Sequence, residues 1–498
     1  MANAMCPMSN KNTNLTIYRY DLDPAFDALA VFDRVHHHPY SLFLDSADLG
    51  HRDAAFSFVA AFPLEVIEGK DGAYIVTGEA GTQHFRDVSP FDLVRQRMRA
   101  CEMGMDMAGI ENGAPFQGGA AGLFGYDLAR ALESLPDYAI SDPNISDMVI
   151  GLYDQVFAYD HRTGAGTLYI QARTRAQADT KYIKYCEALE ERPAITPEQF
   201  DGGAEPEWQS NFSRAEYETI IQETIDYIYA GDIFQANIAQ RFDADLPDGF
   251  DPYRHYLHLR QMNAAPFAAY FNMGGLVLSS ASPERFLTVK DGLAQTRPIK
   301  GTRPHIHDDD EQDAYYRNVL ENSEKDRAEN IMIVDLLRND LSKSCCPDSV
   351  EVTALCVLES FASVHHLVST IQGQLRANRD ALHLLEGCFP GGSITGAPKI
   401  RAMEIIEELE QARRGPYCGS IGYIGVNGSM DTNILIRTLV YQDSKVSFQV
   451  GGGIVADSDP PEEYDETLAK AHGLLESFKP PRRKTGLKDN RGRKTKAA

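Results

Sequence analysis

Four carboxylate residues lie at spacings that suit a divalent cation. Asp326 and Glu329 are three residues apart in one acidic segment. Glu463 and Glu466 repeat that spacing near the end of the chain, and Lys470 continues the same helical face. Carboxylates without a histidine suit Mg²⁺, which usually takes one or two of them and keeps places for water and substrate. The same spacing is also found on solvated helix faces, and the spacing by itself favours that alternative.

Two glycine-rich segments can bring the backbone close to a ligand. In GGSITGAPK (391–399) the glycines permit a tight loop before an amphipathic helix, and Lys399 would add charge to the free N–H groups of the helix start. The P-loop pattern fails because Ala-Pro precedes the lysine, so a carboxylate fits better than a nucleoside triphosphate. A tight loop with only a structural role is the alternative. GGGIVADSD (451–459) suggests close backbone approach to a ligand and lacks the dinucleotide fingerprint, which argues against NAD.

A glutamate and a lysine share the strand-like segment 279–304. Glu284 and Lys300 lie in it, and a lysine in apolar surroundings can lose its proton and act as a nucleophile. The histidine run 36–38 invites a metal interpretation, but adjacent side chains point in different directions. No cysteine or acidic partner follows that run at ligand spacing, so we do not expect a metal there.

The elements that hold these residues are clearest after residue 210. Ser213 predicts a helix N-cap, Glu216 completes a capping box, and apolar residues then recur at helical spacing up to Gly231. Short strands and helices alternate from there to about 478. A stretch rich in Pro, Gly and acidic residues around 192–210 predicts a linker. The predicted organisation is an N-terminal α+β region (1–200), a catalytic domain (210–478) and a basic, disordered tail (479–498).

Composition and charge exclude several classes of protein. The 498 residues are 43% hydrophobic and 24% charged, which is ordinary globular composition, and no run of 18 apolar residues predicts a membrane span. The net charge of −24 disfavours a nucleic-acid partner, and we interpret the basic tail as a solubilising end rather than a nucleic-acid arm. The 8 scattered cysteines and the absence of a signal-peptide pattern at the N-terminus predict the reducing cytoplasm.

Taken together, the motifs resemble the chorismate-utilising enzymes, a family that includes anthranilate, aminodeoxychorismate, isochorismate and salicylate synthases. Seven segments follow the family's order: GDIFQANIAQRF, ASPERF, DRAENIMIVDLLRNDL, VHHLVST, GGSITGAPKIRAME, YCGSIGYIG and GGGIVADSDPPEEYDETLAK. The resemblance covers about 210–478 and continues more faintly at PFQGGAAGLFGYDLAR (115–130). It implies an α+β fold in which antiparallel β-sheets pack together with helices on the outside.

The resemblance also implies a role for each matching residue. Glu329 and Glu466 would bind Mg²⁺ directly, with Glu463 and Asp326 acting through water, and the metal would hold the ring carboxylate of chorismate. Glu284 would protonate the departing 4-hydroxyl group. The remaining implied site residues are His366 near the ring, and Tyr417, Arg437, Gly452, Gly453, Lys470, Thr395 and Gly396 around the substrate.

Two positions divide the family by reaction. Members that add water carry a lysine base where this chain has Gln235, so an amine nucleophile is favoured. Anthranilate synthases typically read PIAGT where this chain reads PIKGT, and the lysine, here Lys300, is typical of aminodeoxychorismate synthases. Its implied role is to attack C2 of chorismate so that ammonia then enters at C4. The resemblance thus favours 4-amino-4-deoxychorismate as the product, toward p-aminobenzoate and folate, with anthranilate as the alternative.

Family members of this kind take ammonia from a glutamine amidotransferase, and no such domain is recognisable in the chain. The expected partner is therefore a separate amidotransferase subunit. The family's tryptophan-site segment has its nearest match at LFLDSA (42–47), where Ser46 could keep a bound tryptophan. Whether such binding regulates the enzyme is left open by the sequence.

Overall fold

Two large antiparallel sheets form the centre of the molecule, which we describe from a computed structural model. The structure describes residues 15–104, 108–142, 144–191, 205–360 and 364–479. Each sheet has 12 strands within these residues, and helices cover the outer surfaces. The predicted α+β fold is confirmed. The predicted linker lies mostly outside the described residues, and so does nearly all of the predicted tail.

The strands, in chain order, are β1 (Thr16–Asp21), β2 (Leu42–Asp45), β3 (Phe56–Ala60), β4 (Glu65–Lys70), β5 (Ala73–Gly78), β6 (Gly81–Arg86), β7 (Gly119–Phe124), β8 (Met148–Tyr153), β9 (Gln155–Asp160), β10 (Ala165–Ala172), β11 (Gln209–Ser210), β12 (Gln235–Asp245), β13 (Phe267–Asn272), β14 (Leu276–Ser282), β15 (Arg285–Lys290), β16 (Leu293–Thr296), β17 (Ile299–Pro304), β18 (Glu351–Ser360), β19 (Val364–Gln374), β20 (Gly396–Ala397), β21 (Ser420–Gly425), β22 (Met430–Asn433), β23 (Thr438–Gln442) and β24 (Lys445–Ile454).

The helices are α1 (Ala28–Val35), α2 (Pro90–Ala100), α3 (Arg175–Glu190), α4 (Arg214–Ala230), α5 (Pro252–Met262), α6 (Asp310–Glu321), α7 (Glu324–Ser342), α8 (Ala381–Cys388), α9 (Lys399–Leu409) and α10 (Pro460–Glu476). No helix in the described part of the chain is long and apolar enough to cross a membrane.

Strands from both predicted regions run through both sheets. The first sheet has the order β1-β10-β9-β3-β2-β13-β14-β23-β24-β12-β11, and β20 also pairs with β12. The second has the order β17-β19-β16-β15-β22-β21-β7-β8-β4-β5-β6, and β18 also pairs with β19. The N-terminal region meets the C-terminal region where β2 pairs with β13 and where β7 pairs with β21. The regions 1–200 and 210–478 therefore share their sheets and the core between them.

Local sequence signals explain why several elements form where they do. Ser213 caps α4 in a complete capping box with Glu216, and Gly231 ends the helix with a left-handed φ of 85°. Phe212 packs against Tyr217 at 6.1 Å between ring centroids, as a hydrophobic staple requires. These predicted features of α4 are confirmed, and its buried face packs near β12, which leads into the candidate site.

Candidate functional site

Helix α10 faces a run of glycines on β24. A Cβ built on Gly452 would lie 3.0 Å from Glu463 Oε2 and 3.9 Å from Glu466 Oε1, which shows how closely these carboxylates approach the backbone of β24. Lys470 Nζ donates to the Gly451 carbonyl at 2.9 Å and pairs with Glu466 at 2.7 Å. The backbone of β24 and one face of α10 therefore form a single surface.

Helix α7 brings the second pair of carboxylates to the strand that carries Lys300. A Cβ on Gly301 would lie 3.0 Å from Asp326 Cγ, which shows how closely α7 approaches β17. Arg303, two residues further along β17, pairs with Asp326 at 3.2 Å. The charges of Lys300 and Glu466 both act on Glu329, so Glu329 lies within electrostatic range of β17 and of α10. The acidic residues of α7 and α10 are therefore near each other, and the predicted Mg²⁺ role of these residues stays a prediction.

Gln235 lies at the floor of this site. Its side chain is buried at the start of β12, and neither amide atom has a hydrogen-bond partner among the described residues. A Cβ on Gly453 would lie 2.3 Å from Gln235 Nε2 and 3.6 Å from Lys300 Nζ. An unpaired buried amide costs free energy unless a ligand or water completes its hydrogen bonds. We therefore place the ligand-facing end of the site beside Gln235 and Lys300.

The surrounding protein shifts the pKa values of Glu284 and Lys300 in opposite directions. Burial raises the pKa of Glu284, and the hydrogen bond from Ser393 and the charge of Lys300 offset only part of that effect. Burial lowers the pKa of Lys300, against the charges of Glu329 and Glu284. Both shifts favour the neutral form, because a charged group loses its hydration when it is buried. Each group is therefore closer to its neutral form than it would be in water, although the charge of each one opposes the shift of the other.

His366 and Arg437 lie on the β19 side of the site. His366 Nδ1 is 3.0 Å from Thr302 Oγ1 and 3.2 Å from the Gly301 carbonyl oxygen, next to Lys300. Burial lowers the pKa of His366, and the charge of Arg437 adds to that effect. Arg437 is solvent-exposed, and partial loss of hydration lowers its pKa. Its φ of 52° is left-handed.

Thr395, Gly396 and Tyr417 lie in the wall behind the ligand-facing residues. Thr395 is buried and donates to the Gly391 carbonyl at 2.9 Å. Gly396 pairs with Ala236 in the β12–β20 ladder, where a Cβ would lie 2.1 Å from the Gln235 carbonyl oxygen. Tyr417 is buried, and the Arg414 guanidinium carbon lies over its ring at 5.7 Å from the ring centroid. These three residues shape the wall, and their predicted contacts with substrate stay predictions.

The four helix carboxylates match the donor set that Mg²⁺ prefers. Burial raises the pKa values of Glu329 and Glu463. Burial also acts to raise the pKa of Glu466, but Lys470 outweighs it and the net pKa is lowered. Carboxylates that destabilise each other in a partly buried site are stabilised by a bound cation. The donor chemistry therefore suits Mg²⁺, and Asp326, Glu329, Glu463 and Glu466 are the residues that would hold it; in this structure Asp326 is paired with Arg303 and Glu466 with Lys470.

Two contacts in the site were missed by sequence reasoning. Ser393 Oγ donates to Glu284 Oε1 at 2.9 Å, and Ser458 Oγ donates to Glu463 Oε1 at 2.6 Å. Ser458 lies within GGGIVADSD, five residues before Glu463, so its signal was local. Ser393 is 109 residues from Glu284, and a contact across that separation leaves no local pattern.

The predicted anion-binding role of Lys399 is wrong. Its Nζ donates to Asp340 Oδ2 at 2.6 Å and to the carbonyl oxygens of Cys388 and Pro390 at 2.8 Å each. The ammonium has only three donors, so all of them are used within the protein. Lys399 instead fixes the start of α9 to α7, which supports the structural alternative for that glycine-rich loop.

A separate cavity of about 1250 Å³ lies between the two sheets. Ser46 lines it and donates to the Phe56 carbonyl at 2.7 Å. Other lining residues include Asp53, Gln117 and Tyr423. The prediction that tryptophan binds near Ser46 is untested by this geometry.

Residues 49–476 match the model of a protein family described as chorismate binding enzyme. The chain belongs to this family. The resemblance stated from its motifs is therefore confirmed, and the match extends well into the N-terminal region, where the motifs were faint.

Individual relatives agree with this membership. The chain is 41% identical over 448 residues to aminodeoxychorismate synthase component 1 of Escherichia coli K12, covering 90% of this chain and 95% of the relative. It is 37% identical over 478 residues to anthranilate synthase component 1 of Synechocystis, covering 89% and 91%. Among solved structures, anthranilate synthase component I from Streptococcus pneumoniae aligns with a TM-score of 0.75 at 30% identity, covering 84% of this chain and 92% of that one.

The menaquinone-specific isochorismate synthase from Escherichia coli aligns with a TM-score of 0.69 at 19% identity, covering 93% of this chain and 94% of that one, and shows the shared fold.

Proposed function

We propose that the chain is the chorismate-aminating component of an aminodeoxychorismate synthase. It would convert chorismate and ammonia to 4-amino-4-deoxychorismate, which leads to p-aminobenzoate and folate. The observation that carries this proposal is that Lys300 and the buried Glu284 lie close enough for their charges to interact, with the pKa of Glu284 raised and that of Lys300 lowered by the surrounding protein. The 41% identity to an aminodeoxychorismate synthase component 1 supports the same reaction.

The binding step uses the polar groups on opposite walls of the site. Mg²⁺, held by Glu329 and Glu466 with Glu463 and Asp326 behind them, would supply positive charge for the ring carboxylate of chorismate. Arg437 is the accessible cation on the other side and would take the second carboxylate. The unpaired amide of Gln235 would hydrogen-bond to substrate or to the incoming ammonia.

The chemical step exchanges the 4-hydroxyl group for an amine in two displacements. Lys300 Nζ attacks C2, the two ring double bonds shift, and the C4–O bond breaks as Glu284 protonates the departing oxygen, releasing water. Ammonia then attacks C4, the double bonds shift back, and the C2–N bond to Lys300 breaks. The ammonia nitrogen loses one proton, and the ionised Glu284 is placed to accept it.

Ammonia would come from a separate glutamine amidotransferase subunit. The name of the Escherichia coli relative, component 1, supports a partner for this chain. The cysteines of the described residues are all free, which fits a reducing compartment such as the cytoplasm.

The test is a product assay on the purified chain. The chain is incubated with chorismate, Mg²⁺ and an ammonium salt at mildly alkaline pH, and the products are separated by mass spectrometry. 4-Amino-4-deoxychorismate is the expected product. Anthranilate with pyruvate would instead assign the chain to the 2-aminating reaction of its anthranilate synthase relatives. Isochorismate as the product would contradict the inference that Gln235, in place of a lysine base, prevents the addition of water.

A further inference from the structure

A cluster of imidazole rings and one carboxylate lies outside the site described above. His305, Asp313 and His365 each direct one ligand atom to a common point, and those atoms all lie within 4.8 Å of one another. His365 Nε2 is 2.8 Å from Asp313 Oδ1, and His305 Nε2 is 3.9 Å from the same oxygen. The ring of His307 lies 4.1 Å from that of His305, centroid to centroid.

Three different elements build this cluster. His365 is on β19, Asp313 is on α6, and His305 directly follows β17. Successive side chains of a strand point to opposite faces. His366 accordingly points to Thr302 and the substrate site, while its neighbour His365 points away toward α6.

A hydrogen bond on the far side of its ring orients His365 for metal binding. It is fully buried, and its Nδ1 is 2.8 Å from Ser360 Oγ on β18, so its Nε2 is the nitrogen turned toward Asp313. Metal-binding histidines usually have such a partner on the second ring nitrogen, which fixes the ring and its tautomer. Asp313 is held in turn by the Ile306 backbone N–H at 2.9 Å.

The distances suit a small transition-metal ion. Two ligands that each lie about 2.0–2.1 Å from a tetrahedral zinc are roughly 3.3 Å apart. The two separations from Asp313 Oδ1, 2.8 and 3.9 Å, lie on either side of that value. Imidazole ligands favour zinc, copper, nickel or iron, whereas the all-carboxylate set on α7 and α10 favours magnesium.

We propose that His305, Asp313 and His365 form a second metal site that binds Zn²⁺ or a similar divalent transition-metal ion. The site joins α6 to β17 and β19, the strands that carry Lys300 and His366. Three protein ligands from three elements would tie these segments together beside the catalytic lysine.

The test uses the full chain, treated with a chelator and then kept in excess Mg²⁺ so that the carboxylate site is filled. Co²⁺ serves as the probe because its visible absorption reports tetrahedral nitrogen and oxygen ligation, and Zn²⁺ is added to displace it. We expect one Co²⁺ per chain, displaced by Zn²⁺. His305→Ala and Asp313→Asn should each weaken binding at least about tenfold, and Ser360→Ala, which leaves the ligands in place, by about 10- to 100-fold.

Matched controls separate this site from other histidines. His84→Ala, on the exposed strand β6, and His37→Ala, in the histidine run 36–38, should bind Co²⁺ as the unaltered chain does. Circular dichroism of each metal-free variant shows whether its fold is intact. Absence of Zn²⁺-displaceable Co²⁺ binding, or binding unchanged in both folded ligand variants, would overturn the proposal and leave the cluster as a hydrogen-bonded Asp–His group.

Discussion

The two walls of the candidate active site carry their charge in different ways. The strand wall holds Glu284 and Gln235, which are buried, and Lys300, which is partly buried. On the helix wall, Glu463 is as buried as Glu284, whereas 54% of the Glu466 side chain is exposed. Burial raises the pKa values of Glu284, Glu329 and Glu463, whereas the charge and hydrogen bond of Lys470 help to lower the pKa of Glu466.

The difference between Glu284 and Glu466 suits them to different parts of the proposed reaction. A group that gives or takes a proton near neutral pH benefits from burial, because burial brings its pKa toward the working pH. A group that binds Mg²⁺ must stay ionised and reachable from water. Glu284 and Glu466 are both glutamates in one site, yet the pKa of Glu284 is raised and that of Glu466 is lowered. The surroundings of a glutamate, rather than its residue type, make it suited to donate a proton or to bind a metal ion.

The largest effect is expected from removing the amine of the strand wall. Lys300→Ala should lower formation of 4-amino-4-deoxychorismate by about 10⁴-fold or more, because it removes the nucleophile. Ammonia could then reach C2 directly, so traces of anthranilate are an expected by-product. The measurement is product quantification by mass spectrometry, with the exposed Lys290→Ala as control. Undiminished 4-amination in Lys300→Ala would make the lysine a spectator.

Removing the acid should have the next largest effect. Glu284→Gln should lower kcat by about 10²–10⁴-fold, since the amide cannot protonate the leaving oxygen. The rate depends on the fraction of chains that hold neutral Glu284 and neutral Lys300 together, and this fraction is greatest between the two pKa values. The rate of the unaltered chain should therefore fall as pH drops below the pKa of Glu284 and as pH rises above the pKa of Lys300. Burial brings these two pKa values closer together.

The pH profile of kcat tests this assignment directly. The residual rate of Glu284→Gln should no longer respond to the ionisation of residue 284. A profile identical to that of the unaltered chain would place the essential acid on another residue.

A change on the helix wall should act on metal use rather than on protonation. Glu466→Gln should raise the Mg²⁺ concentration needed for half-maximal rate by at least about tenfold, since one anionic ligand is lost. Glu462→Gln is the matched control on the same helix, where the side chain is exposed and lies outside the site. The measurements are rate against Mg²⁺ concentration and Mg²⁺ binding by calorimetry. Equal Mg²⁺ dependence in the two variants would contradict the assignment of Glu466.

The smallest effect is expected from a substitution that only shifts the pKa of Glu284. Ser393→Ala removes the hydrogen bond that stabilises the ionised form of Glu284, so the pKa of Glu284 should rise further. The loss of rate at acid pH should then begin at a higher pH, with kcat changed by less than about tenfold. The pH profile of Ser349→Ala, a serine remote from the site, provides the comparison. A shift to lower pH in Ser393→Ala would show that Ser393 does not support the carboxylate.

Much of the site follows from short-range patterns. The pairs on α7 and α10 lie three residues apart and so share a helix face; spacing alone favoured solvated faces, and the family resemblance implied a shared role in Mg²⁺ binding. The capping box of α4 and the glycines of β24 are likewise local. The partners of Lys399 were mispredicted because Asp340 lies 59 residues away, and a free lysine and an internally paired lysine look the same in a sequence.

By itself, the sequence determined the family, the positions of the main helices and strands around the site, and the residue types available for chemistry. Only the tertiary structure decided which of those residues are buried, and therefore that Glu284 and Lys300 are pushed toward neutrality while Glu466 stays ionised. It also decided that His305, Asp313 and His365 meet. The physical reason is that periodicity records local backbone geometry, whereas hydration and charge coupling depend on segments brought together from distant parts of the chain.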